Sequence, residues 1–181
     1  MKHSSQDSAG RWFVVGALLL AIGCSSISYA QTVSLTTAEK EWLKYLREEE
    51  KVARDVYLYL YDVWGSAIFN NISGSEQRHM DSIKALLDKY GVADPAEGKS
   101  QGEFTNPELQ ALYDALVDQG SLSLVEALNV GILIEETDIA DLEAALAASK
   151  RRDIRNVYNN LLQGSLNHLG AFESSLAQQQ N

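Results

Sequence analysis

Four stretches of this sequence carry apolar residues at alternating spacings of three and four, and ligand-type polar residues interrupt each stripe midway. Such spacing places a stripe on one face of an α-helix, the face that packs inward. The four stripes are Leu43, Leu46, Glu50, Ala53, Tyr57, Leu60, Trp64; Ile72, Glu76, His79, Ile83, Leu86, Tyr90; Val125, Leu128, Ile132, Glu135, Ile139, Leu142, Leu146; and Ile154, Tyr158, Leu161, Ser165, His168, Phe172. Burying a carboxylate costs free energy unless its charge is compensated, and one shared cation would compensate all of these acids together.

The first thirty residues are predicted to be a leader and not part of the folded domain. Lys2 and Arg11 precede an apolar run over residues 12–22, which is too short for a membrane-spanning helix, and small residues lead to a cleavage site after Ala30. We therefore predict a signal peptide over residues 1–30 and an exported protein, periplasmic or extracellular.

An alternative for the same segment is lipid anchoring. Residues 21–24 resemble a lipoprotein box, in which Cys24 would carry the lipid and residues 25–34 would form a tether. The membrane would then be a partner only through the leader or this anchor. If Cys24 is removed or lipidated, the folded part has no cysteine, which excludes disulfides, iron–sulfur clusters and Cys-ligated zinc.

The balance of charge is acidic. Asp and Glu number 25 against 15 Lys and Arg, for a formal net charge of −10 at pH 7. Such a chain repels phosphate backbones, so we expect no nucleic-acid partner. Acidity suits cation capture, although any single exposed acid is more often part of a solvated surface.

The helices and their caps can be placed from local signals. Gly65 and Gly91 are expected to follow the first two long helices, and both prolines fall in or next to the long loop over residues 91–107. The expected helices are a first from a cap at Thr36 or Thr37 to about Val63; a short turn over residues 67–72; a second from Ser73 or Ser75 to Tyr90; a short one over residues 108–118 after Asn106 and Pro107; a third from a cap at Ser121 or Ser123 to about Ser149; and a fourth over residues 153–177.

The connections predict an all-α fold with a defined topology. Short joins make the first two and the last two long helices antiparallel hairpins, and a long crossover between helices two and three contains the short extra helix. This is the ferritin-like four-helix bundle arrangement. The expected domain covers residues 36–177, after a linker over residues 31–35 and before a disordered tail over residues 178–181.

The helical register selects the candidate metal ligands. Glu76 and His79 lie three residues apart and so share one face of the second helix. In the acidic run of the first helix, Glu50 alone keeps the spacing of the stripe, so Glu48 and Glu49 are expected to be surface charges.

The same test applies to the other two helices. It selects Glu135 over Glu136 and places Asp138, one turn beyond, at the edge of the buried face. His168 lies in the stripe of the fourth helix and is either a ligand or a hydrogen-bonded core residue. Tyr57 is expected to be a core residue, or else to hydrogen-bond a ligand or donate an electron.

Several segments resemble known proteins. Residues 50–57 resemble the first ligand helix of rubrerythrins and bacterioferritins, where a ligand Glu precedes a Tyr by seven, and residues 75–79 resemble their Glu-x-x-His helix. Together with residues 135–138 and 164–169, the chain resembles the ferritin-like family known as domain of unknown function 2202. The resemblance covers roughly residues 36–176, and that family has no firmly assigned reaction.

The resemblance implies a carboxylate-bridged dinuclear metal centre, usually of iron. Carried over by position, the ligands would be Glu50, Glu76, His79, Glu135 and His168. The fourth helix departs from the superfamily pattern, because Ser165 stands where a second Glu-x-x-His would place its Glu. Asp138 or a water could replace that carboxylate, which leaves the number of metals open.

The sequence leads to three alternative hypotheses about function. The first is a ferroxidase or peroxide-detoxifying protein whose partners are metal ions and O₂ or peroxide. The second is a non-catalytic module that holds zinc, manganese or copper, and Ser165 favours it. The third is an interaction bundle whose buried polar residues only bond to each other. Whether the protein is an enzyme and whether it forms a homodimer are left open.

Overall fold

The computed structural model describes residues 34–179, and the predicted leader lies outside the described residues. Within that range the chain forms five helices and no strand, which confirms the all-α prediction. They are α1 (Thr37–Trp64), α2 (Ala67–Tyr90), α3 (Pro107–Gly120), α4 (Leu124–Ala148) and α5 (Arg152–Gln179). None of these helices is long and apolar enough to cross a membrane.

Helix ends follow the local signals in the sequence. Thr36 caps α1, Asn106 caps α3 and Ser123 caps α4, each through a side-chain oxygen that accepts a bond from a backbone N–H of the first turn. Gly65 and Gly91 follow α1 and α2 with φ of 63° and 64°, a left-handed conformation that favours glycine. The structure thus selects Thr36 and Ser123 from the alternatives that the sequence left open.

The start of α2 differs from the prediction. Residues 67–72 do not form a separate turn, because α2 is continuous from Ala67 to Tyr90. Phe69 and Ile72 are buried in the core, so packing holds this first part of the helix in place. The Ser73 hydroxyl donates to the Asn70 carbonyl at 2.9 Å and does not cap a new helix.

The helices pack in a closed ring. α1 contacts α2 and α4, α5 contacts the same two helices, and α3 packs against α1 and α4. Residues 65–66 alone separate α1 from α2, and residues 149–151 separate α4 from α5, so each pair runs in opposite directions. Residues 91–123, which include α3, connect the two pairs.

Two apolar clusters lie along the ring, one on each side of a set of buried polar residues. One cluster includes Tyr57, Phe69 and Phe172, whose ring centroids are 5.1 to 6.3 Å apart. The other includes Leu43 and Tyr158. Between them lies what we call the polar layer: Glu50, Glu76, His79, Glu135, Asp138, Ser165 and His168.

The register of α4 differs in part from the predicted stripe. Leu128, Glu135 and Leu142 are buried as expected, while the other four apolar residues of the stripe are only half-buried. The buried face is instead completed by Ala127, Val130, Gly131, Ile134, Asp138 and Ala145. Contacts with α1, α3 and α5 bury a wider arc of α4 than a single stripe describes.

Residues 91–106, which we call the crossover segment, cover a charged face of α1. Arg47 donates to both oxygens of Asp94 at 2.9 to 3.1 Å. Glu48 accepts backbone N–H bonds from Thr105 and Asn106. Glu48 is therefore buried, at 3% exposure, and its prediction as a surface charge is wrong. Apolar periodicity cannot detect a face that is covered by a polar loop.

The same segment buries a lysine on α1. Lys51 is 1% exposed and forms an ion pair with the fully buried Asp55. Its amine also donates to the Ser100 carbonyl at 2.7 Å and lies 4.5 Å from the centre of the Phe104 ring. Asp55 in turn accepts from the Gly102 backbone N–H at 2.9 Å. Every charge here has a nearby partner, so these contacts hold the crossover segment against α1.

Candidate metal centre

The structure brings the five predicted ligands together in the polar layer. α1 contributes Glu50, α2 contributes Glu76 and His79, α4 contributes Glu135 and α5 contributes His168. The three carboxylates are at most 2% exposed, and the imidazole side chains are 11% and 12% exposed. Four helices must therefore pack in register before these side chains can meet.

The first group of ligand atoms comes from Glu50, Glu76 and His79, which could hold a metal ion. His79 Nδ1 lies 2.7 Å from Glu76 Oε2 and 3.2 Å from Glu50 Oε2. Both carboxylate oxygens thus face the same ring nitrogen, which is the type of donor that divalent transition metals accept together with carboxylates.

The second group comes from Glu76, Glu135 and His168, which could also hold a metal ion. His168 Nδ1 lies 2.8 Å from Glu76 Oε1 and 3.5 Å from Glu135 Oε2. Glu76 belongs to both groups, and it presents one oxygen to each histidine. The two imidazole rings lie nearly parallel with their centroids 5.6 Å apart. Two adjacent positions for a cation therefore share one carboxylate.

Several buried polar atoms of the layer lack a hydrogen-bond partner, which is what we expect of atoms that would bind a cation. Within residues 34–179, Glu50 Oε1, Glu76 Oε1 and His168 Nδ1 form no hydrogen bond although all three are buried. Glu76 Oε1 and His168 Nδ1 are close, yet their angles do not suit a hydrogen bond. Buried polar atoms normally have a partner, and ligands of one ion are close without bonding to each other. The donor set fits a metal.

The ionisation of the site reflects its excess of acids. Burial opposes ionisation of Glu76, but the imidazoles of His168 and His79 close to its carboxylate prevail and lower its pKa to about 2. Burial would lower the pKa of His168, but the neighbouring carboxylates of Glu135 and Glu76 raise it to about 9. Burial, with repulsion from Asp138 and Glu76, raises the pKa of Glu50 well above its usual value. Bound protons thus partly neutralise these acids, and a bound cation would displace the protons.

Asp138 lies inside the polar layer and not at its edge. It is 5% exposed, and the Ser165 hydroxyl donates to its Oδ2. Burial, only partly offset by that bond, raises the pKa of Asp138 to about 7, with added repulsion from Glu135 and Glu76. Its Oδ1 forms no hydrogen bond within the described residues, but Asp138 belongs to neither three-ligand group. The expected edge position was wrong because α5 covers this side of α4.

Comparison with known proteins places the chain in a family. The family described as "Uncharacterized protein domain (DUF2202)" matches residues 39–181. This chain belongs to the DUF2202 family.

Two further likenesses concern single proteins. The "Uncharacterized protein MJ0754" of Methanocaldococcus jannaschii is 51% identical over 138 residues, which cover 76% of this chain and 75% of that protein. The crystal structure of that hypothetical protein superposes with a TM-score of 0.80 at 49% identity, over 81% of this chain and 84% of the other. A crystal structure of a DUF305 fragment from Deinococcus radiodurans gives a TM-score of 0.65 at 16% identity, over 80% and 99% of the two chains, and shows the fold alone.

Two residues of this DUF2202 domain contact or make room for the candidate ligands. Tyr57 is fully buried, and its hydroxyl donates to Glu135 Oε1 at 2.7 Å, so this tyrosine does hydrogen-bond a predicted ligand. Gly164 on α5 leaves room for the His79 ring, since a Cβ there would lie 2.6 Å from His79 Nε2. A glycine inside a helix, which costs stability, was a signal in the sequence for such a close approach.

Sequence reasoning missed one buried acid next to the centre. Glu49 was expected to be a surface charge, but it is 6% exposed. Neither of its carboxylate oxygens forms a hydrogen bond within residues 34–179. Burial raises its pKa well above the usual value, and repulsion from Asp138, Asp141 and Glu50 adds to the shift. Glu49 is buried because α3 and α4 pack on this side of α1. The spacing of apolar residues along α1 does not predict that packing.

Proposed function

We propose that this protein is a ferritin-like metalloprotein whose polar layer binds a dinuclear metal centre of iron and oxidises Fe(II) with O₂ or peroxide. The observation that carries the proposal is the sharing of Glu76 between two three-ligand groups in a buried layer. A carboxylate with one oxygen directed to each of two adjacent positions is suited to bridge two metal ions.

The topology supports the ferritin-like part of the proposal. The four long helices α1, α2, α4 and α5 would form the bundle, and the connection over residues 91–123 would be its single long crossover. In this class of bundle, side chains from all four helices project inward to one metal centre. Here the polar layer draws its side chains from the same four helices.

The residues have distinct roles in the proposed centre. Glu50 and His79 would hold one iron, Glu135 and His168 the other, and Glu76 would bridge them. Two irons held there would supply one-electron redox chemistry toward O₂ or peroxide. The apolar clusters on either side exclude water and strengthen electrostatic interactions within the layer.

A second candidate function is non-catalytic binding of zinc, manganese or copper. The hydrogen bond from Ser165 to Asp138 favours it, because α5 lacks the carboxylate that would complete a second Glu-x-x-His pair. In the first candidate, Asp138 supplies that missing carboxylate from α4. In the second, Asp138 remains bonded to Ser165, and one metal is held more tightly than the other.

The setting of the protein is part of the proposal. We propose export with removal of residues 1–30, or anchoring through a lipid at Cys24, so that the domain acts in the cell envelope or outside the cell. Metal ions and O₂ or peroxide are the proposed partners, and the net charge of −10 disfavours nucleic acid.

Metal analysis of the untagged mature chain tests the proposal. After anaerobic loading with Fe(II) and exposure to O₂ or peroxide, we expect two irons per chain and a ferric–oxo absorbance band. One tightly held zinc without oxidation would favour the second candidate. Glu50→Ala and Glu76→Ala should each reduce the metal content, with the exposed Glu136→Ala as the control. Unchanged metal content in both ligand variants would exclude the proposed site.

A further inference from the structure

Positive charge is confined to three parts of the described chain. Every lysine and arginine within residues 34–179 lies in residues 40–54, 78–99 or 150–155. The first of these ranges belongs to α1, the second covers the last part of α2 and the beginning of the crossover segment, and the third includes the start of α5. The start of α1 and the end of α2 share one end of the ring of helices because these two helices run in opposite directions.

Two ion pairs bring the third part of the chain to the same end. The Lys89 amine at the end of α2 lies 2.6 Å from Asp153 of α5. Arg151, in the turn between α4 and α5, lies 3.1 Å from Glu39 in the first turn of α1. The start of α5 is therefore next to both the end of α2 and the start of α1.

The surface formed there, which we call the basic end, consists of residues 34–40, 88–90 and 149–155. It contains six basic residues and three acids. The basic residues are Lys40, Lys89, Lys150, Arg151, Arg152 and Arg155, and the acids are Glu39, Asp88 and Asp153. The excess of positive charge at this end contrasts with the formal net charge of −10 for the whole chain.

The opposite end of the helices is acidic. Trp64 at the end of α1 donates to the Gly120 carbonyl at the end of α3 at 2.8 Å, so these two elements meet there. Residues 61–72 and 111–130 contain no lysine or arginine but four acids, which are Asp62, Asp114, Asp118 and Glu126. The charge of the domain is therefore distributed unevenly between its two ends.

Not every cation of the basic end is required by the fold. Arg155 donates to two carbonyl groups at the end of α4, and Arg151 pairs with Glu39. Lys150 and Arg152 are exposed, and neither side chain forms an ion pair or a hydrogen bond within the described chain. These two adjacent positive charges remain available for a partner of opposite charge.

We propose that the basic end docks the folded domain on an anionic phospholipid surface, with Lys150 and Arg152 in contact with the headgroups. The inference goes beyond the proposed metal chemistry and needs no bound metal. Basic side chains near a membrane are attracted by the negative surface potential of anionic lipids. Because the whole domain is acidic, this attraction exceeds repulsion only in an orientation that turns the acidic end away, about a Debye length or more from the surface.

The path of the chain supports this orientation. Ser34 lies at the basic end, where its carbonyl accepts a hydrogen bond from Arg151. Cys24 precedes Ser34 by ten residues, and a fully extended chain of that length spans at most about 35 Å. In the proposed lipid-anchored form, the basic end would therefore be within reach of the bilayer. A lipid and a basic patch act together in membrane attachment, so the folded domain would add a contact that the leader alone does not provide.

Flotation of the mature chain, residues 31–181 without a lipid, with phospholipid vesicles tests the docking. We expect binding to vesicles of phosphatidylglycerol and phosphatidylcholine in equal parts, and none to phosphatidylcholine alone. Binding should be lost near 1 M salt, where the Debye length is about 3 Å. The double variant Lys150→Gln with Arg152→Gln should lower the partition coefficient to the anionic vesicles by about tenfold or more.

A second double variant is the matched control. Arg78→Gln with Lys99→Gln removes the same charge from two exposed positions outside the basic end, and it should leave the partition coefficient nearly unchanged. All four substitutions are at exposed positions, so the fold and the metal content should be the same in both double variants. The metal content of the variants thus tests the proposed function separately from the docking.

Three results would overturn the docking proposal. The first is no binding of the unaltered mature chain to the anionic vesicles. The second is an equal loss of binding in the two double variants, which would assign the effect to net charge and not to the basic end. The third is binding to a DNA duplex without binding to the vesicles, which would make nucleic acid the partner of this surface.

Discussion

Two regions of this protein bury charged side chains, and they differ in how far the buried charges are compensated by neighbouring groups. Under the crossover segment, Arg47, Lys51 and Arg54 pair with Asp55 and Asp94, and the remaining bonding capacity of the acids is met by backbone N–H groups. In the polar layer, four acids face two histidines, and several ligand atoms form no hydrogen bond within residues 34–179.

The difference separates buried charge that supports the fold from buried charge that could bind a cation. A compensated network contributes to stability only as a whole, and the loss of one member leaves an unpaired charge in the interior. An uncompensated group of acids is destabilising by itself, and it gains stability when a cation or protons are bound. Removal of charge should therefore have opposite effects in the two regions.

The largest expected effect follows from loss of the contacts that hold the crossover segment against α1. Lys51→Met removes the buried cation beside Asp55, and we expect the free energy of unfolding to fall by about 3–5 kcal/mol. Urea denaturation of the metal-free chain measures this change. The control is Lys84→Met, which breaks an exposed Lys–Asp pair of the same spacing and should leave the free energy of unfolding nearly unchanged. Equal effects in both variants would contradict the role given to Lys51.

The second prediction concerns the polar layer. Glu50→Gln removes one of the repelling acids, so the metal-free chain should gain stability of about 1 kcal/mol while its metal affinity falls by about 100-fold or more. Thermal unfolding and competitive chelator titration measure the two quantities. A loss of stability in the metal-free chain would show that Glu50 is held by compensating bonds, as in the crossover region.

The third prediction is a pH dependence of the metal-free chain. The pKa values of Glu135 and Asp138 are raised to about 7, chiefly by burial, and that of His168 to about 9 by its acidic neighbours, which outweigh burial. Each group binds its proton more tightly in the folded state, so its contribution is complete below its ordinary pKa and is lost as pH rises through the raised value.

The melting temperature of the metal-free chain should therefore fall, by about 4 °C or more, between about pH 5 and pH 9. The lowered pKa of Glu76 acts in the opposite direction, but only as pH falls from its ordinary value toward about 2, which lies below this window. With metal bound, the trend should reverse, because protons compete with the cation for the same atoms. A melting temperature that rises with pH without metal would contradict the excess of acid in the layer.

The smallest expected effect concerns the space beside His79. Gly164→Ala places a methyl group where a Cβ would lie 2.6 Å from His79 Nε2, so the ring must move and metal affinity should fall by about tenfold. Gly170→Ala on the same helix is the matched control, since its Cβ would meet nothing within 4 Å. Isothermal titration with Co(II) compares the two. Equal affinities would show that the ring tolerates the methyl group.

Much of the fold could be predicted because its signals are local. The caps at Thr36, Asn106 and Ser123 and the glycines after α1 and α2 depend on backbone groups within one turn of the helix. The interruption of α2 was predicted wrongly for the same reason. Ser73 is a good cap by local rules, and only the burial of residues around it keeps the helix continuous.

The five candidate ligands were also accessible to sequence reasoning, whereas their surroundings were not. An acid or histidine in an apolar stripe is directed inward whatever the partner helices are, so Glu50, Glu76 and Glu135 could be selected from the spacing alone. The second oxygen of Glu76 facing His168 depends on how α2 and α5 pack. That contact creates the two adjacent groups, and no pattern within either helix contains it.

Spacing along each helix thus determined which residues point inward, because a helix has a regular period. Which further faces become buried was decided by the neighbours in three dimensions. The crossover segment buries Glu48 and Lys51, α3 and α4 bury Glu49, and α5 buries Asp138. Burial of a polar side chain depends on what covers it, and in this protein the covering elements are distant in the sequence.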